Sequence, residues 1–229
     1  TYASLEFTGD GVGALSVEGR LTAANMAIEA GAKNGLFPAD RLALEYLEGA
    51  GVAAQAMPVV PDEYGYARRI DTDLAALEPQ VALPSLPSNA VPVAAAPRVK
   101  LDQVVIGSCT NGRMEDLRQA AEVLSGKKAA AGVRLIVIPG SPHVYRRAMD
   151  EGLLGTFLEA GAVIAPPTCG PCLGGHMGVL AAGEKAISTT NRNFVGRMGH
   201  RTSEVYLSNP AVAAASALTG TITDPGEIV

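Results

Sequence analysis

The sequence predicts an α/β fold, with two domains whose mainly parallel sheets are covered by helices. In the second half of the chain, short continuous apolar runs alternate with stretches whose apolar residues recur at helical spacing. Apolar strands between helices are typical of a parallel sheet that is buried on both faces. Several of the apolar runs end at Gly-, Asn- or Pro-rich turns, which is where a parallel sheet presents ligand-binding residues.

The predicted elements follow in order along the chain. In the first half, Leu21–Ala30 is predicted to be a helix ended by Gly31, and Asp40–Leu47 a second helix, with short strands beside them. In the second half, the predicted strands are Gln103–Ile106, Arg134–Ile138, Ala162–Ala165 and Ala186–Ser188. The predicted helices are Met114–Leu124, Pro142–Met149, Leu153–Ala160 and Pro210–Leu218.

A proline-rich stretch predicts the boundary between the two domains. Pro84, Pro87, Pro92 and Pro97 lie among Ser and Ala residues without any periodicity, which is typical of an extended linker. We therefore expect a first α/β domain over residues 1–83, a linker over 84–97 and a second α/β domain over 98–229.

Composition excludes several classes of protein. The 229 residues carry a net charge of −5 and no basic run, which argues against a nucleic-acid partner. No apolar stretch is long enough to span a membrane. Three cysteines, an odd number, argue against a secreted disulfide framework and favour a reducing cytoplasm. Because the sequence begins at Thr1 without Met, we expect a fragment or a processed form.

The three cysteines are the most informative residues. Cys109 follows an apolar run in a Gly-Ser-Cys-Thr-Asn-Gly segment, and Cys169 and Cys172 form the segment Cys-Gly-Pro-Cys. Three thiolates that converge without a fourth suggest a metal centre with one open coordination position, as metal-assisted catalysis requires.

Other interpretations of the cysteines stay open at this level. Free cysteines often only fill a core. Cys169 and Cys172 also match the C-x-x-C of thiol–disulfide proteins, although the glycines that follow are poor residues for starting a helix. A structural zinc site formed with His176 is a third possibility. A c-type haem is excluded because position 173 is Leu.

Longer motifs in a fixed order identify a family resemblance. The chain resembles the aconitase superfamily, and within it the large subunits of isopropylmalate dehydratases and homoaconitases. The segments that carry the resemblance are Glu6–Gly9, Leu15–Arg20, Asn25–Ala32, Leu77–Ala82, Gly107–Asn111, Cys169–Cys172, Asn191–Arg197 and Ser208–Ala215.

The resemblance implies a 4Fe–4S cluster held by Cys109, Cys169 and Cys172, with one iron not ligated by protein. It also implies that Arg192 and Arg197 line the active site. Without it, the two arginines could equally be solvated surface residues or a bidentate grip on a substrate carboxylate.

Further site residues are expected from the same motifs. Asn111 and Asn191 are candidate neighbours of the cluster or substrate. Asn25 and Glu29 are four residues apart on the predicted first helix and would share one face. The resemblance implies that both point at the cluster and its bound water, and Glu29 is our candidate for a functional carboxylate. His143, His176 and His200 receive no role.

The activity that the resemblance implies is that of a hydro-lyase large subunit, which isomerises 2- and 3-isopropylmalate in leucine biosynthesis by dehydration and rehydration. Homoaconitate and dimethylmalate are alternative substrates. In the family, an Asp–His pair comes from a preceding domain, and the serine base comes from a swivelling domain that is a separate small subunit in the two-subunit enzymes. We therefore expect the fragment alone to be inactive. A thiol–disulfide protein and a zinc-stapled binding module are the alternatives from other classes.

Overall fold

The computed structural model describes residues 2–53 and 65–228, and the chain divides into two compact units, Thr1–Leu77 and Glu78–Val229. The first unit contains strand β1 (Ser4–Glu6), helix α1 (Val17–Met26), strand β2 (Asn34–Leu36) and helix α2 (Arg41–Gly49). The two strands pair in parallel and α1 connects them. This unit therefore has the α/β character that the sequence predicts.

Helix α1 begins and ends earlier than the predicted helix Leu21–Ala30. It begins after Ser16, whose hydroxyl accepts a hydrogen bond from the amide of Gly19 at 3.0 Å. It ends at Met26 because the following amides bond three residues back, as the amide of Glu29 does to the carbonyl of Met26 at 3.0 Å. Asn25 thus lies in the last turn of α1 while Glu29 lies in the turn after it. Glu29 therefore does not lie on α1, and the prediction that one helix carries both residues is wrong.

Arg20 joins the parts of the first unit. Its buried guanidinium donates to the carbonyls of Val12 at 3.0 Å and Leu15 at 3.1 Å, and pairs with the carboxylate of Asp40 at 2.8 Å. Asp40 also caps α2 by accepting from the amide of Ala43. The hydrogen bond from Arg20 lowers the pKa of Asp40 below its ordinary value.

The second unit is built on a seven-stranded sheet with the strand order β4-β3-β9-β8-β5-β6-β7. The strands are β3 (Gln80–Ala82), β4 (Ala90–Pro92), β5 (Gln103–Gly107), β6 (Arg134–Ile138), β7 (Val163–Ile164), β8 (Lys185–Ser188) and β9 (Glu204–Ser208). The helices are α3 (Met114–Leu124), α4 (Pro142–Asp150), α5 (Leu153–Glu159) and α6 (Pro210–Thr219). All pairings from β9 to β7 are parallel, and only β3 and β4 add antiparallel edges.

The region expected to be a linker is part of this sheet. β3 pairs with β9 and β4 pairs with β3, so the unit boundary after Leu77 precedes the predicted one, and residues 84–97 are not an extended connection. Pro92 is tolerated because it ends an edge strand. Strand β9 was also not predicted.

Alternate residues of the strands point into two separate cores. Val104 and Ile106 of β5 face the core to which α3, α4, α5 and α6 all contribute. Val105 faces the other core, where Leu180 and Met198 from irregular segments pack. Both sheet faces thus carry buried residues, and among the described residues of this unit the helices contribute to only one of the two cores.

The strand order reverses beside β5, and this determines where a ligand can bind. From β5 the chain proceeds to β6 on one side, and it later returns to β8 on the other side. In open α/β sheets, the crevice beyond the carboxyl ends of the strands at such a reversal is the usual ligand site. None of the helices within residues 2–53 and 65–228 is long and apolar enough to cross a membrane.

Candidate functional site

The Cys109 loop follows β5 at the strand-order reversal. Gly107 and Ser108 have φ values of 111° and 120°, and the amide of Ser108 donates to the carbonyl of Ile138 at 3.1 Å. A Cβ on Gly107 would lie 1.9 Å from that carbonyl oxygen, so only glycine fits. The sharp turn leaves the Cys109 side chain exposed.

Arg113, at the start of α3, folds back over this loop. Its guanidinium donates to the carbonyl of Cys109 at 2.9 Å and also to the carbonyl of Thr110. Its own amide donates to the carboxylate of Asp116 at 2.9 Å, which fixes the first turn of the helix. Arg113 therefore holds the backbone of the cysteine loop, a role that the sequence analysis did not assign although the residue follows the cysteine motif directly.

Cys169 directly precedes a single turn of 3-10 helix over Gly170–Leu173, and Cys172 lies within that turn. Cys169 is exposed and Cys172 is buried. The turn ends at Gly174 in the left-handed conformation, where a Cβ would lie 3.0 Å from the amide nitrogen of Gly199. No α-helix begins at the motif, so the helix N-terminus that activates the first cysteine of thiol–disulfide proteins is missing from this part of the described chain.

The charges of Cys109 and Cys169 affect the pKa of the Cys172 thiol. Burial raises the pKa of the Cys172 thiol, Arg197 lowers it, and the negative charges of Cys109 and Cys169 raise it. The guanidinium of Arg197 donates to the sulfur of Cys172 at 3.8 Å. Residues far apart in sequence therefore contribute to the electrostatic environment of the Cys172 sulfur.

His176 does not complete a zinc site with them. Its Nε2 lies 3.1 Å from the hydroxyl of Thr168, which also accepts from the amide of Gly170. Across residues 2–53 and 65–228, no group of three or more His, Cys, Asp or Glu side chains is arranged to hold a single metal ion. A cluster is a different case, because each thiolate binds a different iron and the sulfurs need not share one ion.

The other two histidines also lie outside this group. His143 is exposed near the start of α4, and His200 is exposed and accepts from the amide of Thr202 at 3.2 Å.

Arg192 and Arg197 lie in the loop after β8, and both side chains are half-buried. Arg197 directs one Nη at Cys172, and its Nε is buried with no hydrogen-bond partner in the described chain. A buried donor without a partner costs about 1–3 kcal/mol, so Arg197 Nε is an unsatisfied donor within the described residues. Arg192 and Asn191 already make interactions of their own.

Asn193 belongs to the same loop and was missed by the sequence analysis. It is 1% exposed, and its Nδ2 donates to the carbonyl of Leu83 at 2.9 Å. This bond joins the arginine-bearing loop to the segment after β3. Its burial could not be foreseen, because β3 was not predicted to be part of this sheet.

The remaining predicted residues divide between the two units. Asn111 is half-buried in the loop that carries Cys109. Asn25 and Glu29 are half-buried in the first unit, and each has an interaction partner. Their roles stay predictions.

Comparison of the sequence with known proteins relates the chain to a single family. A sequence model of the "Aconitase family (aconitate hydratase)" matches residues 1–220. The chain is 59% identical over 230 residues to 3-isopropylmalate dehydratase large subunit 1 of Pyrococcus furiosus, an alignment that covers 100% of this chain and 54% of that protein. It is 58% identical over 228 residues to the large subunit of Moorella thermoacetica, with 100% and 54% covered. The chain thus spans about half the length of the curated relatives it matches.

Proposed function

This chain belongs to the aconitase family, and we propose on that basis that it is part of the large subunit of a 3-isopropylmalate dehydratase. The reaction interconverts 2- and 3-isopropylmalate by removing water and adding it back. The observation that carries the proposal is the environment of Cys172, whose buried sulfur accepts a hydrogen bond from Arg197 and whose pKa is raised by the charges of Cys109 and Cys169.

The residues at this site fit a 4Fe–4S cluster. Cys109, Cys169 and Cys172 are the only cysteines of the sequence and would each ligate one iron, which leaves the fourth without a protein ligand. When bound, the cluster supplies Lewis-acid polarisation of the substrate hydroxyl at that iron. Two exposed thiols and one buried thiol suit a group that the protein holds at its surface and that a substrate approaches.

Arg192 and Arg197 bind the substrate carboxylates in this proposal. A guanidinium stays charged and offers two parallel N–H groups that match a carboxylate. The Nε of Arg197 is buried without a hydrogen-bond partner in the described chain. A hydrogen bond from this Nε to a carboxylate would therefore satisfy the donor without breaking a hydrogen bond to water. Asn111 and Asn191, in the loops after β5 and β8, orient the substrate between them.

Removing water also requires that a proton leave the neighbouring carbon, which needs a positioned base. Glu29 is the candidate carboxylate of this chain for holding a proton near the substrate. We assign the remaining acid and base groups to segments of the complete enzyme outside these residues, including a small subunit, since the curated relatives are named large subunits. We assign the protein to a reducing cytoplasm, and its three free cysteines support this assignment.

The test is a hydro-lyase assay on the complete large subunit with its small subunit, after anaerobic iron–sulfur reconstitution. Activity on 3-isopropylmalate well above that on homoaconitate and dimethylmalate is expected. A Cys109→Ser variant is expected to lose it, while Thr223→Val, a buried change after α6, is the matched control that retains it. Preference for one of the other acids, or activity that survives the loss of Cys109, would contradict the proposal.

A further inference from the structure

A buried hydroxyl connects the cysteine loop with the arginine loop. Thr189 follows β8 and is fully buried. Its Oγ1 accepts a hydrogen bond from the amide of Gly107 at 2.8 Å and lies 3.1 Å from the carbonyl oxygen of Gly107 and 3.5 Å from that of Asn111. The hydroxyl has one proton to donate, and the shorter distance directs it to Gly107.

The hydrogen bonds between Thr189 and Gly107 lie between the two loops that carry the candidate site residues. Gly107 lies two residues before Cys109, at the point where the backbone turns through positive φ values. Thr189 lies two residues before Asn191 and three before Arg192. One side chain therefore bonds both backbone polar groups of Gly107, two residues before the cysteine, and belongs to the loop of the proposed carboxylate-binding residues.

The other side of the cysteine loop is held differently. The amide of Ser108 donates to the carbonyl of Ile138, and the amide of Gly140 donates to the carbonyl of Gly112 at 2.7 Å, so the β6 side is held by backbone. On the β8 side, the amide of Thr189 donates to the carbonyl of Val105 at 3.0 Å, and beyond that point a side-chain hydroxyl continues the connection. A side-chain bond can be removed by substitution without changing the backbone.

We propose that Thr189 is a positioning residue that sets the spacing between the Cys109 loop and the Asn191–Arg197 loop. Its effect on the loops follows from the hydrogen bonds alone, while its effect on cluster retention rests on the proposed function. Partners that orient metal ligands in this way typically change metal retention by about 10–100-fold when they are removed.

The variants differ by single groups. Thr189→Val keeps the shape of the side chain and removes the hydroxyl, which leaves the amide and carbonyl of Gly107 without that partner. Thr189→Ser keeps the hydroxyl. Thr223→Val is the matched control, because Thr223 is 2% exposed and its hydroxyl lies 2.7 Å from that of Thr219, after α6. If Thr189→Val does not fold, Thr189→Ser and Thr189→Ala make the same comparison, because they differ only in the hydroxyl.

The first measurement is amide hydrogen exchange on the cluster-free chain. Thr189→Val is expected to speed exchange about tenfold in peptides covering 104–113, as for the loss of one buried hydrogen bond, while Thr189→Ser stays close to the unsubstituted chain. The second is the rate of iron loss to a chelator from the reconstituted chain, expected to rise about tenfold in Thr189→Val alone.

The outcomes of the two measurements distinguish a failure of the proposed function from a failure of the positioning role. If the unsubstituted chain takes up no cluster, the proposed function is wrong, and hydrogen exchange still tests the positioning role. If Thr189→Val and Thr223→Val speed exchange in 104–113 equally, the hydroxyl contributes only to general stability and the proposal is overturned. Unchanged exchange and unchanged iron loss in Thr189→Val would overturn it as well.

Discussion

Gly107→Ala tests whether the tight turn after β5 is needed to place Cys109. The added Cβ would lie 1.9 Å from the carbonyl oxygen of Ile138, and the residue would have to keep a φ of +111°. Left-handed backbone costs a non-glycine residue about 1–2 kcal/mol. Overpacking against a rigid strand adds about 1–3 kcal/mol. We expect a total loss of about 2–5 kcal/mol in the free energy of unfolding.

Gly132→Ala separates the two contributions. Gly132 also has a positive φ, +87°, but a Cβ there has no neighbour within 4 Å. It therefore measures the backbone cost alone, about 1–2 kcal/mol. The assay is urea denaturation followed by circular dichroism, together with the iron content after reconstitution. Gly107→Ala is expected to be the less stable variant and to retain less iron. Equal stability and equal iron in the two variants would refute the reasoning.

Three further predictions follow from the site and one from the first unit. Arg197→Lys is expected to raise KM for isopropylmalate at least tenfold in the complete enzyme, because an ammonium cannot make the bidentate contact; an unchanged KM would return Arg197 to a surface role. His176→Ala is expected to keep the iron content of the unsubstituted chain and Cys172→Ser to lose it, and equal iron loss in both would support a histidine ligand. The reconstituted chain by itself is expected to show no dehydratase activity, because acid and base groups that act as a unit are strongly non-additive; turnover by the chain alone would place the base within these residues. Arg20 lowers the pKa of Asp40, so the Asp40 carboxylate stabilises the fold at pH values above its unfolded-state pKa of about 4. This stabilisation is lost as the pH falls through the lower folded-state pKa. Asp40→Asn is therefore expected to reduce the loss of stability at acid pH in a pH–stability curve, and an unchanged curve would contradict this contribution.

The fold of the second half was predictable where local pattern and tertiary structure agree. Helix α3 and strand β6 have the predicted bounds, because the apolar residues of α3 recur at helical spacing and β6 is a continuous apolar run, as expected for a buried parallel strand. Strands β3 and β4 were missed because prolines surround them, and proline restricts the interior of a sheet but not its edge. Strand β9 is short and lies before the Asn209–Pro210 helix start, with only three consecutive buried apolar residues to indicate it.

The candidate site was predictable at the level of residue types but not of contacts. The cysteines and arginines belong to contiguous motifs, so the sequence identifies them. The hydroxyl of Thr189 and the amide of Asn193 act through carbonyls of segments that only the folded sheet brings beside them, while the guanidinium of Arg113 folds back onto a carbonyl of its own loop. The end of α1 was missed for a related reason. After Met26 the backbone amides bond to carbonyls three residues earlier instead of four, and the spacing of apolar residues does not reveal this change.

The most direct test of the central claim is the metal content of the chain after anaerobic reconstitution, combined with Mössbauer spectroscopy. The account predicts about four irons and four sulfides per chain, a broad absorption near 400 nm, and one iron whose spectrum differs from the other three because it lacks a thiolate. Substitution of any one of Cys109, Cys169 or Cys172 by serine is expected to abolish this content. One equivalent of zinc, a Cys169–Cys172 disulfide without iron, or four irons in equivalent environments would contradict it.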